Sequence, residues 1–155
     1  MKSVLVFAGS TSKTSINKPL ATYAAQILQN VAFEVVDLAT FNVPIFSVEE
    51  EKNGIPQDIQ EFSDRLDAHD GFILSLAEHN GSYAAGFKNI FDWISRIEKV
   101  VWYNKPMFLL ATSNGDRGAI TVLEIAHSRI SRGNPFEIPI FSLPNFNKNF
   151  VDDLI

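Results

Sequence analysis

The sequence predicts a doubly wound α/β domain, a three-layer α/β/α arrangement whose five parallel strands run in the order 2-1-3-4-5. Three observations carry this. Short apolar runs recur along the chain, segments of helical spacing separate them, and Pro139 falls inside the last run. A continuous apolar run bounded by turn residues marks a strand covered on both faces, as in parallel sheets. The resulting βαβαβαβαβ alternation places helices on both sides of one sheet. Proline cannot donate to a ladder, so the last strand belongs on an edge, where this strand order puts it.

The first strand is Val4-Leu5-Val6-Phe7-Ala8, ending at Gly9. The helix after it shows Ile16, Leu20, Tyr23, Ala24, Ile27 and Leu28 at the spacing of one buried face, with Ser15 as N-cap and Pro19 in the first turn. Phe33 to Leu38 reads as the second strand, broken by Asn42-Val43-Pro44 and followed by a loop carrying Glu49, Glu50 and Glu51. Pro56 opens a helix with Ile59, Phe62 and Leu66 inward, and Asp70-Gly71 leads into the third strand, Phe72 to Leu76. Helical spacing returns from Ser82 to Glu98 through Tyr83, Phe87, Ile90, Phe91, Ile94 and Ile97. Met107 to Ala111 is the fourth strand, Ala119, Val122, Leu123, Ala126 and Ile130 mark the fourth helix, and Phe136 to Phe141 is the fifth strand. The segment Asn145 to Ile155 is too short for a full further helix, so part of one sheet face is expected to be bare or closed by a second subunit.

At 155 residues and 46% hydrophobic composition, the chain is expected to form one domain, residues 1–155. Its net charge of -5, with no Lys/Arg cluster, speaks against nucleic-acid and anionic-membrane partners and in favour of small-molecule substrates. The absence of cysteine excludes a disulfide framework, a thiolate metal site and a cysteine nucleophile. Redox chemistry would therefore need a bound cofactor. The Val4–Ala8 run is far too short for a signal peptide's apolar region or a membrane span, and a cytoplasmic location is expected.

Ligands of open parallel sheets bind outside the carboxyl ends of the strands, near the point where the strand order reverses. Three loops leave those ends. The first, Gly9-Ser10-Thr11-Ser12-Lys13-Thr14-Ser15-Ile16-Asn17, sets hydroxyls, a lysine and an asparagine around a helix N-terminus, which favours an anion such as phosphate. It is neither a P-loop nor the G-x-G-x-x-G fingerprint. The second, Ala77-Glu78-His79-Asn80-Gly81-Ser82, suits the polar edge of a flat heterocycle. The helix beyond it, including Lys88, Asp92 and Trp93, is explained by core packing and an i, i+4 ion pair. The third, Thr112-Ser113-Asn114-Gly115-Asp116-Arg117-Gly118, has glycines that let backbone approach a ligand. His69, His79 and His127 share no metal-ligand spacing, so no metal site is expected, and no G-x-S-x-G nucleophile signature is present.

Together these loops resemble the NAD(P)H-dependent FMN reductase family, the flavodoxin-like group of quinone, azo-dye and chromate reductases. The family pattern Gly-Ser-x-Arg-x-x-Ser-x-Asn is met by Gly9, Ser10, Ser15 and Asn17. The pattern Pro-Glu-Tyr-Asn with a downstream Lys-Asn-x-x-Asp-Trp is met by Glu78, Asn80, Lys88, Asn89, Asp92 and Trp93, and the third loop supplies Ser113, Gly115 and Gly118. Ser12 stands at the family arginine, Ala77 at the proline and His79 at the tyrosine.

The resemblance implies a flavodoxin-like fold with Ser10, Ser15 and Asn17 at the FMN phosphate. It also implies Glu78, His79 and Asn80 along the isoalloxazine, and Ser113, Asn114 and Gly115 near its other edge. Ser12, Ile16 and Ala77 belong to the same expected cofactor-binding set. The flavin would carry the chemistry, with NAD(P)H as donor, a small acceptor such as a quinone or free flavin, and no catalytic side chain. A homodimer or higher homo-oligomer is expected. A flavodoxin-type electron carrier and a flavin-free interaction domain stay open as alternatives.

Overall fold

The chain is described by a computed structural model covering residues 1–155. Its elements are β1 (Lys2–Gly9), α1 (Asn17–Gln26), β2 (Val31–Val36), α2 (Val48–Glu51), α3 (Gln57–Ala68), β3 (Gly71–Leu76), β4 (Glu78–His79), β5 (Ser82–Tyr83), α4 (Ala85–Ile97), β6 (Met107–Thr112), α5 (Ile120–Ile130), β7 (Ile140–Leu143) and α6 (Phe146–Asn149). Five parallel strands form one sheet in the order β2-β1-β3-β6-β7, which is 2-1-3-4-5 once the small antiparallel pair β4–β5 is set aside.

Alternation along the strands divides the core. Leu5 and Phe7 of β1, Phe72, Leu74 and Leu76 of β3, and Met107 and Leu109 of β6 face α3, α4 and α5. Phe7 lies edge-on to Phe62 of α3 at 5.2 Å and stacks on Trp102 at 6.2 Å. Val6, Ile73 and Leu110 point the other way, onto Leu20, Ala21, Ala24 and Ala25 of α1 and onto Phe146 of α6. The alanines let α1 lie close against the central strands. The far parts of this face are thinly covered, leaving Phe33 and Val35 of β2 and Phe141 of β7 exposed.

Several element ends differ from the sequence expectation, each for a local reason. Ile27 and Leu28 are 62% and 41% exposed, because α1 ends at Gln26 and Asn30, at φ 58°, turns the chain into β2 before those residues meet a facing layer. Ile16 rather than Ser15 holds the N-cap position of α1 and provides no side-chain cap, while Ser15 Oγ accepts from the Asn17 N–H. The second strand starts at Val31, and Leu38–Thr40 forms a 3-10 turn. The Glu49–Glu51 segment is a helical turn, not a loop. Ser47 Oγ accepts from Glu50 N at 3.0 Å, and the acidic side chains sit at its dipole-favoured end. Ser82 and Tyr83 pair with His79 and Glu78 rather than starting α4. The last strand begins at Ile140, so Pro139 precedes it and its carbonyl accepts from Leu109 N. The edge position holds with the proline just outside the ladder.

Lys18 Nζ lies 2.6 Å from Asp37 Oδ2 and ties α1 to the end of β2, while Asp37 Oδ1 accepts from Ala39 N. The lysine hydrogen bond, helped by that backbone N–H, holds the Asp37 carboxyl below its usual 3.8. A depressed carboxylate adds stability that is present above the unfolded value and is lost as pH falls through the folded one. Asp37→Asn should therefore lower Tm slightly at pH 7 and flatten the fall of Tm below about pH 4, which scanning calorimetry across pH reads directly.

Candidate functional site

At the carboxyl ends of β1, β3 and β6 lies an open cavity of about 300 Å³, lined by Ser10, Ser12, Thr14, Ser15, Ile16 and Asn17 from the first loop, Ala77, Glu78 and His79 from the second, and Thr112, Ser113 and Asn114 from the third. The topology brings the loops together because β1 and β3 are neighbours whose connections leave toward opposite faces. Of the residues expected at a site, Asn80 and Gly115 alone do not line this cavity. Asn80 and Gly81, at φ 53° and 71°, form the two-residue turn of the β4–β5 hairpin, and the Gly115 carbonyl accepts from Asn145 N. Thr14 and Thr112 line the cavity in addition to the expected set. Thr14 shares the hydroxyl pattern of its loop, whereas Thr112 is marked only by ending a strand.

A larger groove, about 900 Å³, lies at the opposite, amino ends of the strands, lined among others by Val4, Ile73, Phe108 and Phe136. Its rim charges are already engaged, Lys2 with Asp70 and Lys105 with the carbonyls of Leu66 and Asp67. It brings no free polar groups to a common point.

The first loop is folded by its own hydroxyls. Ser10 Oγ accepts from Ser12 N at 3.1 Å, Ser12 Oγ from Thr14 N at 3.3 Å, and Ser15 Oγ from Asn17 N at 3.3 Å. Ser10 and Ser15 keep their own O–H free to donate, while the Ser12 and Thr14 hydroxyls share a hydrogen bond at 3.4 Å. Asn17 is 2% exposed, and its Oδ1 accepts from Ser75 Oγ at 2.7 Å and Thr112 N at 3.2 Å. That fixes the amide's orientation and leaves Nδ2, with its two donors, without a protein partner at the cavity wall. Lys13 is the loop's one cation and forms no ion pair, while Lys18 in α1 is engaged by Asp37. A helix of this length adds its dipole at the same point.

In the second loop, the Glu78 side chain turns away from the hairpin, and Oε2 accepts from Val122 N at 2.8 Å. Val122 is in the first turn of α5, whose own N-cap, Ala119, has no side chain to offer. Glu78 thus serves as a cap supplied from 44 residues away. Glu78→Ala should lower stability by about 1 kcal/mol, and Glu78→Gln, which keeps an acceptor, by less. Urea denaturation of the three proteins checks this.

The Lys-Asn-x-x-Asp-Trp stretch of α4 lies outside the cavity. Lys88 pairs with Asp92 at 2.7 Å, while Asn89 and the fully buried Trp93 both donate to the Pro44 carbonyl, at 2.9 and 2.8 Å. Asn89 Oδ1 also accepts from Phe46 N. The stretch therefore fastens the Pro44–Phe46 segment to α4. At the same helix's start, a Cβ on Gly86 would fall 2.4 Å from Thr11 Oγ1, so α4 presses directly on the first loop.

A doubly wound parallel sheet with a hydroxyl-lined cavity at its switch point places this chain in the class of open α/β folds whose ligands lie at the strand ends. The description NADPH-dependent FMN reductase matches residues 2–147. The chain belongs to that family, whose fold is flavodoxin-like. An NADPH azoreductase of Bacillus sp. (strain OY1-2) is 26% identical over 128 residues, 83% of this chain and 68% of its own length. A quinone reductase of Escherichia coli (strain K12) is 26% identical over 114 residues, 72% of this chain and 60% of its own length. The solved structure of FerB, a flavoenzyme NAD(P)H:(acceptor) oxidoreductase from Paracoccus denitrificans, superposes with TM-score 0.76 at 22% identity, covering 99% of this chain and 85% of that one. The curated relatives are thus longer than this chain.

Proposed function

We propose that the strand-end cavity holds FMN and that the protein passes electrons from NAD(P)H to a small acceptor, a quinone or azo compound being the kind its relatives' names point to. The observation that carries the binding site is the Asn17 amide: nearly buried, oriented by two hydrogen bonds, with an unpartnered Nδ2 at the cavity. Its two N–H donors open onto the cavity, where a phosphate oxygen can take them. The free hydroxyl hydrogens of Ser10 and Ser15, the hydrogen-bonded hydroxyl pair of Ser12 and Thr14, and the N-terminal N–H groups of α1 beside Ile16 complete a donor set suited to a phosphomonoester.

Backbone of Ala77 to His79 on one side and of Ser113 and Asn114 on the other would flank the ring. When bound, FMN would supply the hydride and electron-transfer chemistry, and the side chains here would bind and orient it rather than act as acids or bases. The protein works as a cytoplasmic homodimer in this reading. Exposed Phe33 and Val35 on the edge strand β2, and Phe141 on the opposite edge strand β7, offer apolar area to a second copy.

The central test is retention of FMN after desalting, with quenched flavin fluorescence, followed by anaerobic addition of NADPH or NADH. Bleaching within seconds supports the reductase. Bound flavin that does not bleach indicates a carrier, and absence of bound flavin overturns the assignment. Light scattering at tens of micromolar should show a dimer, and a monomer refutes that part.

Ser12→Arg, restoring a guanidinium to the cradle, should tighten FMN binding roughly tenfold, because charge-assisted contacts exceed those of a hydroxyl. Fluorescence titration against riboflavin, which lacks the phosphate, should show no matching gain.

A further inference from the structure

We propose that the segment following β7, Pro144 to Asn147, is a brace that positions the third loop against the flavin, with Asn145 as its principal positioning residue; this rests on the flavin assignment above. The third loop, from Ser113 to Gly118, lies outside the regular ladders, and α5 behind it starts without a side-chain cap of its own. It has a few contacts of its own, such as Gly118 N to the Gly115 carbonyl at 3.3 Å, and the hold on its residues 113 to 116 from outside comes from this stretch.

Phe146 N donates to the Ser113 carbonyl and Asn145 N to the Gly115 carbonyl, both at 3.0 Å. Asn147 N donates to Asn114 Oδ1 at 3.3 Å, and Asn145 Nδ2 to Asp116 Oδ1 at 2.9 Å. Every residue from 113 to 116 is thereby held. The contact continues at Gly118, where a Cβ would lie 2.8 Å from Pro144 N, and where the carbonyl accepts from Ser142 Oγ at 2.8 Å. Asn145 itself sits at φ 50°, ψ 52°, a left-handed conformation that asparagine tolerates better than most residues.

The far end of the brace is anchored on α1. Phe146 is buried in the α1-side core and stacks on Phe150 at 4.9 Å, and Phe150 is edge-on to Tyr23 at 5.8 Å. The N-terminus of α1 adjoins the hydroxyl loop. One continuous set of contacts therefore links the wall proposed for the ring with the helix proposed for the phosphate, and fixes the spacing between them.

Asn145→Gly separates positioning from folding, because glycine keeps the left-handed backbone and loses only the amide. Asp116→Ala removes the other partner. We expect amide exchange of residues 113–118 in flavin-free protein to quicken several-fold in each variant, with Tm within a few degrees of wild type. FMN and riboflavin dissociation constants should rise together, roughly three- to tenfold, with a shifted visible band of the bound flavin and no additive loss in the double variant. Unchanged exchange at 113–118, or unchanged flavin affinity with faster exchange, overturns the proposal. A rise for FMN but not riboflavin also overturns it, since that pattern belongs to the phosphate loop. Wild-type protein that binds no FMN overturns the flavin assignment instead, and the exchange measurement then judges the brace alone.

Discussion

Ser15→Glu is expected to abolish FMN retention while leaving the domain folded. Ser15 stands beside the start of α1, and its Oγ accepts from Asn17 N at 3.3 Å inside the loop that lines the cavity. A carboxylate there is tolerated by the fold, because a helix N-terminus favours negative charge and a glutamate oxygen can take over the accepting role. The same carboxylate opposes a phosphate dianion. At about 5 Å and an effective dielectric near 20, each pair of like charges costs roughly 3 kcal/mol, enough to weaken binding by at least about a hundredfold. The loop has only Lys13 to offset this. Fluorescence titration should show FMN affinity collapsing while riboflavin affinity falls far less, with an unchanged circular dichroism spectrum. FMN affinity within tenfold of wild type would show that the phosphate lies elsewhere.

What the sequence discloses here is what depends on neighbours along the chain. Val4 to Ala8, Phe72 to Leu76 and Met107 to Ala111 are legible as strands because burial on both faces demands continuous apolar runs, and the order of the sheet follows from their alternation with helices. Strand ends then place the three loops, so the neighbourhood of the cavity is legible too. Contacts between distant residues are not. Strands β4 and β5 have two residues each and leave no periodic trace. Glu78 finds its partner at Val122, and the third loop finds its support at Asn145 and Asn147, across 29 and 33 residues. Neither composition nor spacing encodes such pairings. Asn89 and Trp93 fall between these cases: helical spacing explains Trp93 as core, but the shared acceptor at Pro44 becomes visible only in three dimensions.

Asn17→Ala is the substitution in which fold and site fail together. Thr112 is the last residue of β6, beyond the final β3–β6 pair of Leu76 with Ala111, so its N–H has no ladder partner on that side. Asn17 Oδ1 supplies one, and also accepts from Ser75 Oγ, joining α1, β3 and β6 beneath the cavity. Both donors are in buried residues. Alanine strands them, at a cost of about 1–3 kcal/mol each before any relaxation or water entry, so a net loss of roughly 2–4 kcal/mol is expected. For a domain of this size that is a fall in Tm of about 5–12 °C.

Asn17→Asp divides the two roles. A carboxylate keeps both accepting bonds and sits at a helix N-terminus, so stability should fall less than with alanine. It removes the Nδ2 donors and turns negative charge toward the ligand, so FMN affinity should fall at least as far as in Asn17→Ala. Calorimetry and flavin titration on the two variants therefore rank them in opposite orders if Asn17 serves both the scaffold and the phosphate. Wild-type FMN affinity in Asn17→Asp would confine the residue to the scaffold.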